Sequence, residues 1–325
     1  MRVCTALLTT TALLGLAGCS KERHSPAEQY FLVTANKKLP YWKSAGQGLM
    51  DAAKQLGVTA EMVGPDNYAP QEEVAAFRRA VEKNPAGILV SAADPNLLKD
   101  EINAAVSKGI PVVTMDADTP GSNRLTFIGT NNYQAGQMGA RVAVKSLNGK
   151  GNVVFFTMPG QANLDERLNG YKSVFADSPG IKIQQVVDVK GDPRIAFDTT
   201  KELIAKEPSP DGFICLEATS CEEVADVLTR ENKTGKVVIA MDTDGGTLDW
   251  IKKGAIVATI AQKPYSMAFY GVKVLADLHY YKPSQMAQDW SKDSRAPVPN
   301  FIDTGATLVD KNNVDQFTKA NASQQ

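Results

Sequence analysis

Two heptapeptides in the chain are near copies of each other: VVTMDAD, from Val112 to Asp118, and VIAMDTD, from Val238 to Asp244. Each is a β-branched run that reaches Met and Asp, then a small residue and a second Asp. The chemistry lies first in Asp116 and Asp242, which follow Met in the same setting. An ionised aspartate only accepts hydrogen bonds, and it takes them from two donors at once. The pair therefore suits a ligand that presents donors. Asp118 and Asp244 carry a second reading, as turn or helix-cap residues. Asp244 stands directly before GGTLDWIKKG, a short helix that would end at Gly254.

Other chemistries find little support. The chain has two histidines, His24 and His279, so no histidine metal cluster can form and no metal is expected. No Ser or Cys sits in a nucleophile elbow. After the first apolar run the chain reads ANKKLPYW, which lacks the glycine-rich turn that holds a dinucleotide. Neither an enzyme nor a cofactor is expected. The formal net charge is −1 with no basic block, which argues against a nucleic-acid partner.

The elements that must position the aspartates follow an alternating βα order. YFLVT, VTAEMVG, GILVS and IPVVTMD read as strands. Between them lie helices marked by Leu49, Ala52, Ala53 and Leu56, by Val74, Phe77, Ala80 and Val81, and by Leu97, Leu98, Ile102, Ala105 and Val106. Asp94 caps the last of these, Pro95 fits its first position and Gly109 ends it. The order then repeats: GNVVFFT, a helix around Leu168 to Phe175, IKIQQVVDV, a helix through Ile195 to Ile204, GFICL, a helix from about Cys221, and KVVIAMD. Right-handed crossovers make such strands parallel, and ligands of open α/β sheets bind at the strands' C-terminal edge. At 325 residues, with 43% hydrophobic residues, the chain has room for two lobes. Asp116 and Asp242 would face each other across the cleft between them.

The first residues read as a targeting segment. Residues 1–18 hold one positive charge, at Arg2, and an apolar run too short to span a bilayer as a helix. Leu16, Ala17, Gly18 and Cys19 resemble a lipobox, which implies cleavage before Cys19 and lipidation of that residue. Residues 19–28 then form a tether, and the mature protein is expected outside the cytoplasm, on the periplasmic or cell-surface side, held to the membrane by acyl chains. Cys215 and Cys221 are either a disulfide or two small buried side chains.

Five blocks in register, IPVVTMD, IGTNNYQAGQMGA, ERLNGY, VVIAMDTD and ATIAQKPY, together with LPYWKSAGQGLMDAAKQLG, resemble the periplasmic sugar-binding proteins of ABC importers, of the ribose type. The resemblance implies two doubly wound parallel-sheet lobes joined by a three-segment hinge near Thr130, Gln262 and Asp303. It assigns residues 29–130 plus 263–303 to one lobe and 131–262 plus 304–325 to the other. It further implies a monomer that closes on a monosaccharide and delivers it to a membrane permease. Within that reading Asp116 and Asp242 accept from sugar hydroxyls, Arg167 supplies a fork of donors, and Gln262 both donates and accepts. Tyr41 and Trp42 stack on the sugar's C–H face, or else pack the first helix. Thr130 and Met158 are further candidates for contact.

The sequence departs from the ribose pattern at three places. Leu39 and Glu217 stand where those proteins have asparagine, and Ala117 stands where they have arginine. Asn163 and Asp118 are candidates to replace the lost contacts. Glu217 has two readings: a third carboxylate for a hexose, polyol or amino sugar, or a carboxylate favoured at a helix N-terminus. Presentation of ligand to a membrane sensor, and a furanone-type signal as ligand, are the alternatives to sugar import.

Overall fold

The computed structural model describes residues 24–286 and 290–322. The expected export segment, Cys19 and the start of the tether lie outside the described residues. The chain opens with β1 (Gln29–Val33), α1 (Pro40–Leu56), β2 (Thr59–Val63), α2 (Pro70–Glu82), β3 (Gly87–Val90), α3 (Pro95–Ser107), β4 (Val112–Met115) and β5 (Phe127–Gly129). It continues through α4 (Asn132–Ser146), β6 (Lys150–Thr157), α5 (Ala162–Ala176), β7 (Gly180–Asp188), α6 (Pro193–Ile204), β8 (Gly212–Cys215), α7 (Ser220–Arg230), β9 (Val237–Met241), α8 (Gly245–Lys253) and β10 (Ala258–Ala261). Last come α9 (Pro264–Tyr280), β11 (Phe301–Asp303), β12 (Thr307–Asp310) and α10 (Val314–Ala322).

These strands form two six-stranded sheets, ordered β11-β5-β4-β3-β1-β2 and β12-β10-β9-β8-β6-β7. Among the described residues, all pairings are parallel except β10 with β12. The chain passes between sheets after β5, after β10 and after β11, so each sheet is completed by a strand from the far end of the sequence. Helix α9 likewise returns to the first sheet, burying Met267, Val272 and Leu275 in the same cluster as Tyr30 and Leu32.

Helices on both faces make each central strand apolar throughout, as a parallel sheet requires. Along β1, Tyr30 and Leu32 enter one core while Phe31 and Val33 enter the other. Along β6, Val153 and Phe155 face one core and Val154 and Phe156 the opposite one. Close helix pairs flank each sheet. A Cβ on Gly48 of α1 would lie 2.1 Å from the Tyr265 carbonyl oxygen of α9, and one on Gly136 of α4 would lie 2.1 Å from the Arg167 carbonyl oxygen of α5.

The two quoted heptapeptides fold alike. Asp116 and Asp242 each follow the last residue of a strand with φ in the left-handed region, 62° and 70°. The Asp116 N–H donates to the Ile128 carbonyl at 3.1 Å, and the Asp242 N–H donates to the Ile260 carbonyl at 2.9 Å. Aspartate tolerates this backbone better than most residues with a Cβ. One helix differs from the sequence expectation: α5 begins at Ala162 rather than near Leu168. Asn163 and Arg167 are polar yet buried there, and they break the apolar period that marks a helix.

Candidate functional site

Loops at the C-terminal strand edges of both sheets meet around one cavity of about 340 Å³. From the first lobe it is lined by Tyr41, Trp42, Ser91 and Asp116. From the second it is lined by Met158, Asn163, Arg167, Glu217 and Asp242, with Gln262 at a crossing between sheets. Thr130 and Asp118 are not among the lining residues.

Tyr41 and Trp42 occupy the first turn of α1, which starts with Pro40 at its first position. Both are buried in the first lobe's core and also line the cavity, so packing and exposure to a solute are not exclusive. Their rings meet edge to face at 5.1 Å. The Tyr41 hydroxyl donates to Asp116 Oδ1 at 2.6 Å, and Ser91 Oγ donates to Asp116 Oδ2 at 3.3 Å. Ser91 follows β3 directly, at the same strand edge that carries Asp116.

Arg167 is buried, and its guanidinium is held in three directions. Nε donates to Asn132 Oδ1 at 2.9 Å, Nη1 to the Leu216 carbonyl at 2.6 Å and Nη2 to Gln262 Oε1 at 2.8 Å. Gln262 Nε2 in turn donates to Asp242 Oδ1 at 2.9 Å. A relay of Arg167, Gln262 and Asp242 thus fixes both charges, and the remaining N–H groups of the guanidinium are left for a solute.

Burial dominates the electrostatics. It raises the Asp116 carboxyl above its ordinary pKa, against the pull of Arg167, Tyr41 and Ser91. It pushes Asp242 up to about 7, with Arg167 and Gln262 opposing and Asp244 and Asp116 reinforcing. Tyr41 is raised well above the ordinary phenol value, first by burial and then by Asp116 and Asp242. Hydroxyl donors brought to these carboxylates would replace the lost hydration of the charged forms.

Three of the expected residues have surroundings of their own. The Asp118 carboxylate, off the cavity wall, accepts from the Thr114 hydroxyl at 2.6 Å and the Thr119 N–H at 2.8 Å, and is clamped by Arg124 Nε at 2.6 Å and Nη2 at 2.7 Å. Thr130 lies in the first crossing segment, its hydroxyl buried without a hydrogen-bond partner. Glu217 lines the cavity, but its carboxylate caps α7. Oε2 accepts the Thr219 N–H and hydroxyl, each at 2.7 Å, while Oε1 accepts the Ser220 N–H at 3.0 Å and the Ser220 hydroxyl. A carboxylate offers roughly four acceptor positions, so these bonds leave it little for a ligand.

Cys215, at the end of β8, and Cys221, in the first turn of α7, are joined as a disulfide. The bridge closes the turn that brings Glu217, Ala218 and Thr219 to the cavity wall. Sequence reasoning missed Ser91, Asn132, Tyr68 and Gln161. The strand-edge rule that selected Asp116 would also have selected Ser91, whereas Asn132 acts only through Arg167.

The profile of a periplasmic binding protein domain matches residues 30–282. The chain is 27% identical over 263 residues to the D-allose-binding periplasmic protein of Escherichia coli strain K12, covering 77% of this chain and 84% of that protein. Among solved structures it resembles a sugar-binding protein of a sugar ABC transporter from Bacillus halodurans, with 37% identity, a TM-score of 0.79 and coverage of 89% and 100%. It also resembles an arabinose-binding protein from Geobacillus stearothermophilus, with 35% identity, a TM-score of 0.75 and coverage of 90% and 99%.

Proposed function

Since this chain belongs to the periplasmic binding protein family, we propose that it is the substrate-binding component of an ABC importer, which encloses a pentose or hexose between its lobes and presents it to a membrane permease. One observation carries the reading: Asp116, Asp242 and Arg167, with Tyr41 and Trp42, converge on a single cavity between the sheets. A monosaccharide supplies hydroxyl donors for the two carboxylates, oxygen acceptors for Arg167, Asn163 and Gln262, and a C–H face for Trp42. Hydrogen bonds to charged groups contribute about 1.5–3 kcal/mol each, so a handful of them supports micromolar binding after ordering costs.

Residues 29–130 with 263–303, and 131–262 with 304–325, move as two bodies about the three crossings, and contacts to both favour closure. The protein acts as a monomer, without catalysis. It is exported, cleaved before Cys19 and anchored there by lipid. The relatives that bind allose and arabinose support a small-sugar ligand.

Mass spectrometry of solute released from the denatured purified protein identifies the ligand class, and calorimetric titration with a pentose and hexose panel confirms it. Absence of micromolar binding for every monosaccharide, together with a non-carbohydrate released solute, sinks the proposal.

A further inference from the structure

The loop between β2 and α2 carries Tyr68, half-buried at the edge of the cavity. It touches the opposite lobe at two points. Gln161 Nε2 donates to the Tyr68 hydroxyl oxygen at 2.9 Å. A Cβ on Gly191 would lie 2.5 Å from both Cγ and Cδ1 of the Tyr68 ring, so the ring rests on a backbone without a side chain. We propose that Tyr68, Gln161 and Gly191 form a latch across the cleft, which holds the closed arrangement of the lobes independently of the solute within it.

Both halves are prepared for this contact before they meet. On the first lobe, the Tyr68 loop is tied to the loop after β1. The Thr34 N–H donates to the Val63 carbonyl at 3.1 Å, Lys37 N–H to Pro65 at 2.9 Å and Ala69 N–H to Ala35 at 3.0 Å. Asp66 adds an ion pair to Lys38 at 2.8 Å. On the second lobe, Lys190 and Gly191 are successive left-handed residues, with φ of 52° and 72°. Lys190 N–H donates to Asp188 Oδ1 at 3.0 Å and Asp192 N–H to the Val189 carbonyl at 2.8 Å, which fix that turn. Gln161 occupies the N-cap position of α5 yet makes no side-chain cap; its amide reaches across the cleft instead. Little conformational freedom is left to lose when such surfaces dock, so even one neutral hydrogen bond shifts the balance between open and closed forms.

The latch differs from the sugar contacts in what it reads. Asp116, Arg167 and Asp242 offer charged groups to a solute, whereas the Tyr68 hydroxyl and ring, at the cavity's edge, are already engaged by Gln161 and Gly191 of the opposite lobe. The latch therefore biases the protein toward closure before ligand arrives, and the bias raises apparent affinity for any solute that the closed form accepts.

Paired spin labels on exposed positions of α2 and α6 in the ligand-free full chain test the proposal without any sugar. The parent is expected to show a short-distance, closed component. Tyr68→Phe and Gln161→Ala are each expected to lower the closed-to-open ratio by a factor of about 2 to 10, the range for one net hydrogen bond. Gly191→Ala is expected to open the cleft further, and adding Tyr68→Ala to Gly191→Ala to reverse part of that shift. A parent with no closed component, or variants whose distributions superimpose on it, overturns the latch. The proposed ligand class stands or falls separately, since no solute enters this measurement.

Discussion

The hydroxyl of Tyr41 donates to Asp116 Oδ1 at 2.6 Å across 75 residues of sequence, from the first turn of α1 to the residue after β4. The bond holds one carboxylate oxygen, while the other takes a longer bond from Ser91 at the cavity wall. Tyr41→Phe keeps the ring and removes this restraint. The expected outcome is about tenfold weaker sugar binding by calorimetry, matching the loss of one hydrogen bond to a charged group. Affinity within a factor of about two of the parent would show that Asp116 is oriented by its backbone alone.

Asp242 makes the ligand-free protein sensitive to pH. Burial pushes its carboxyl up to about 7, whereas an unfolded aspartate titrates near 3.9. The folded state therefore binds a proton that the unfolded state lacks throughout this window. The associated stability is complete below about pH 4 and is lost as pH rises through about 7. Thermal unfolding midpoints should fall between pH 5 and pH 8. Asp242→Asn should reduce that fall, leaving the slope from Asp244, which burial raises to about 6, and from Asp116 and Glu73, which burial also raises. It should also weaken sugar binding by about 10- to 100-fold, because an amide offers one acceptor oxygen where the carboxylate offers two.

Glu217→Gln separates a cap from a contact. The amide nitrogen would face N–H and hydroxyl groups that now donate to a carboxylate, so about 1–3 kcal/mol of stability should be lost. The unfolding midpoint should drop by several degrees while sugar affinity stays within about threefold. A large affinity loss at unchanged stability would return Glu217 to the ligand.

Gly136→Ala tests how α5 is seated. Its Cβ would strike the Arg167 carbonyl oxygen at 2.1 Å, which forces α4 and α5 apart. Overpacking of this kind costs about 1–3 kcal/mol, and the shift also moves the Arg167 guanidinium out of reach of Asn132 and Gln262. Both the midpoint and the affinity should fall. Gly245→Ala is the control, since a Cβ there meets nothing within 4 Å.

The succession of βα units, the duplicated heptapeptide and the strand-edge position of Asp116 and Asp242 were legible in the sequence because each rests on local signals: period, caps and position in the unit. What escaped reading depends on partners distant in the chain. The heptapeptide left Asp118 open between ligand and turn residue, and the choice rests on Arg124, which engages Asp118 while Asp116 lines the cavity. The start of α5 was hidden because its buried face carries Asn163 and Arg167, which periodicity counts as solvent-facing. Tyr68 gave no signal, for its significance appears only when residues 161 and 191 arrive from the other lobe.

The threefold exchange of the chain between sheets also governs how the molecule can be assembled. Synthesis proceeds from the N-terminus, and the first sheet lacks its edge strand until Phe301–Asp303 has emerged, while the second waits for Thr307–Asp310. Neither half can be excised as a contiguous fragment, because each sheet draws its edge strand from the other side of a crossing. Such delayed completion reserves the cooperative folding of each sheet until both edge strands are present.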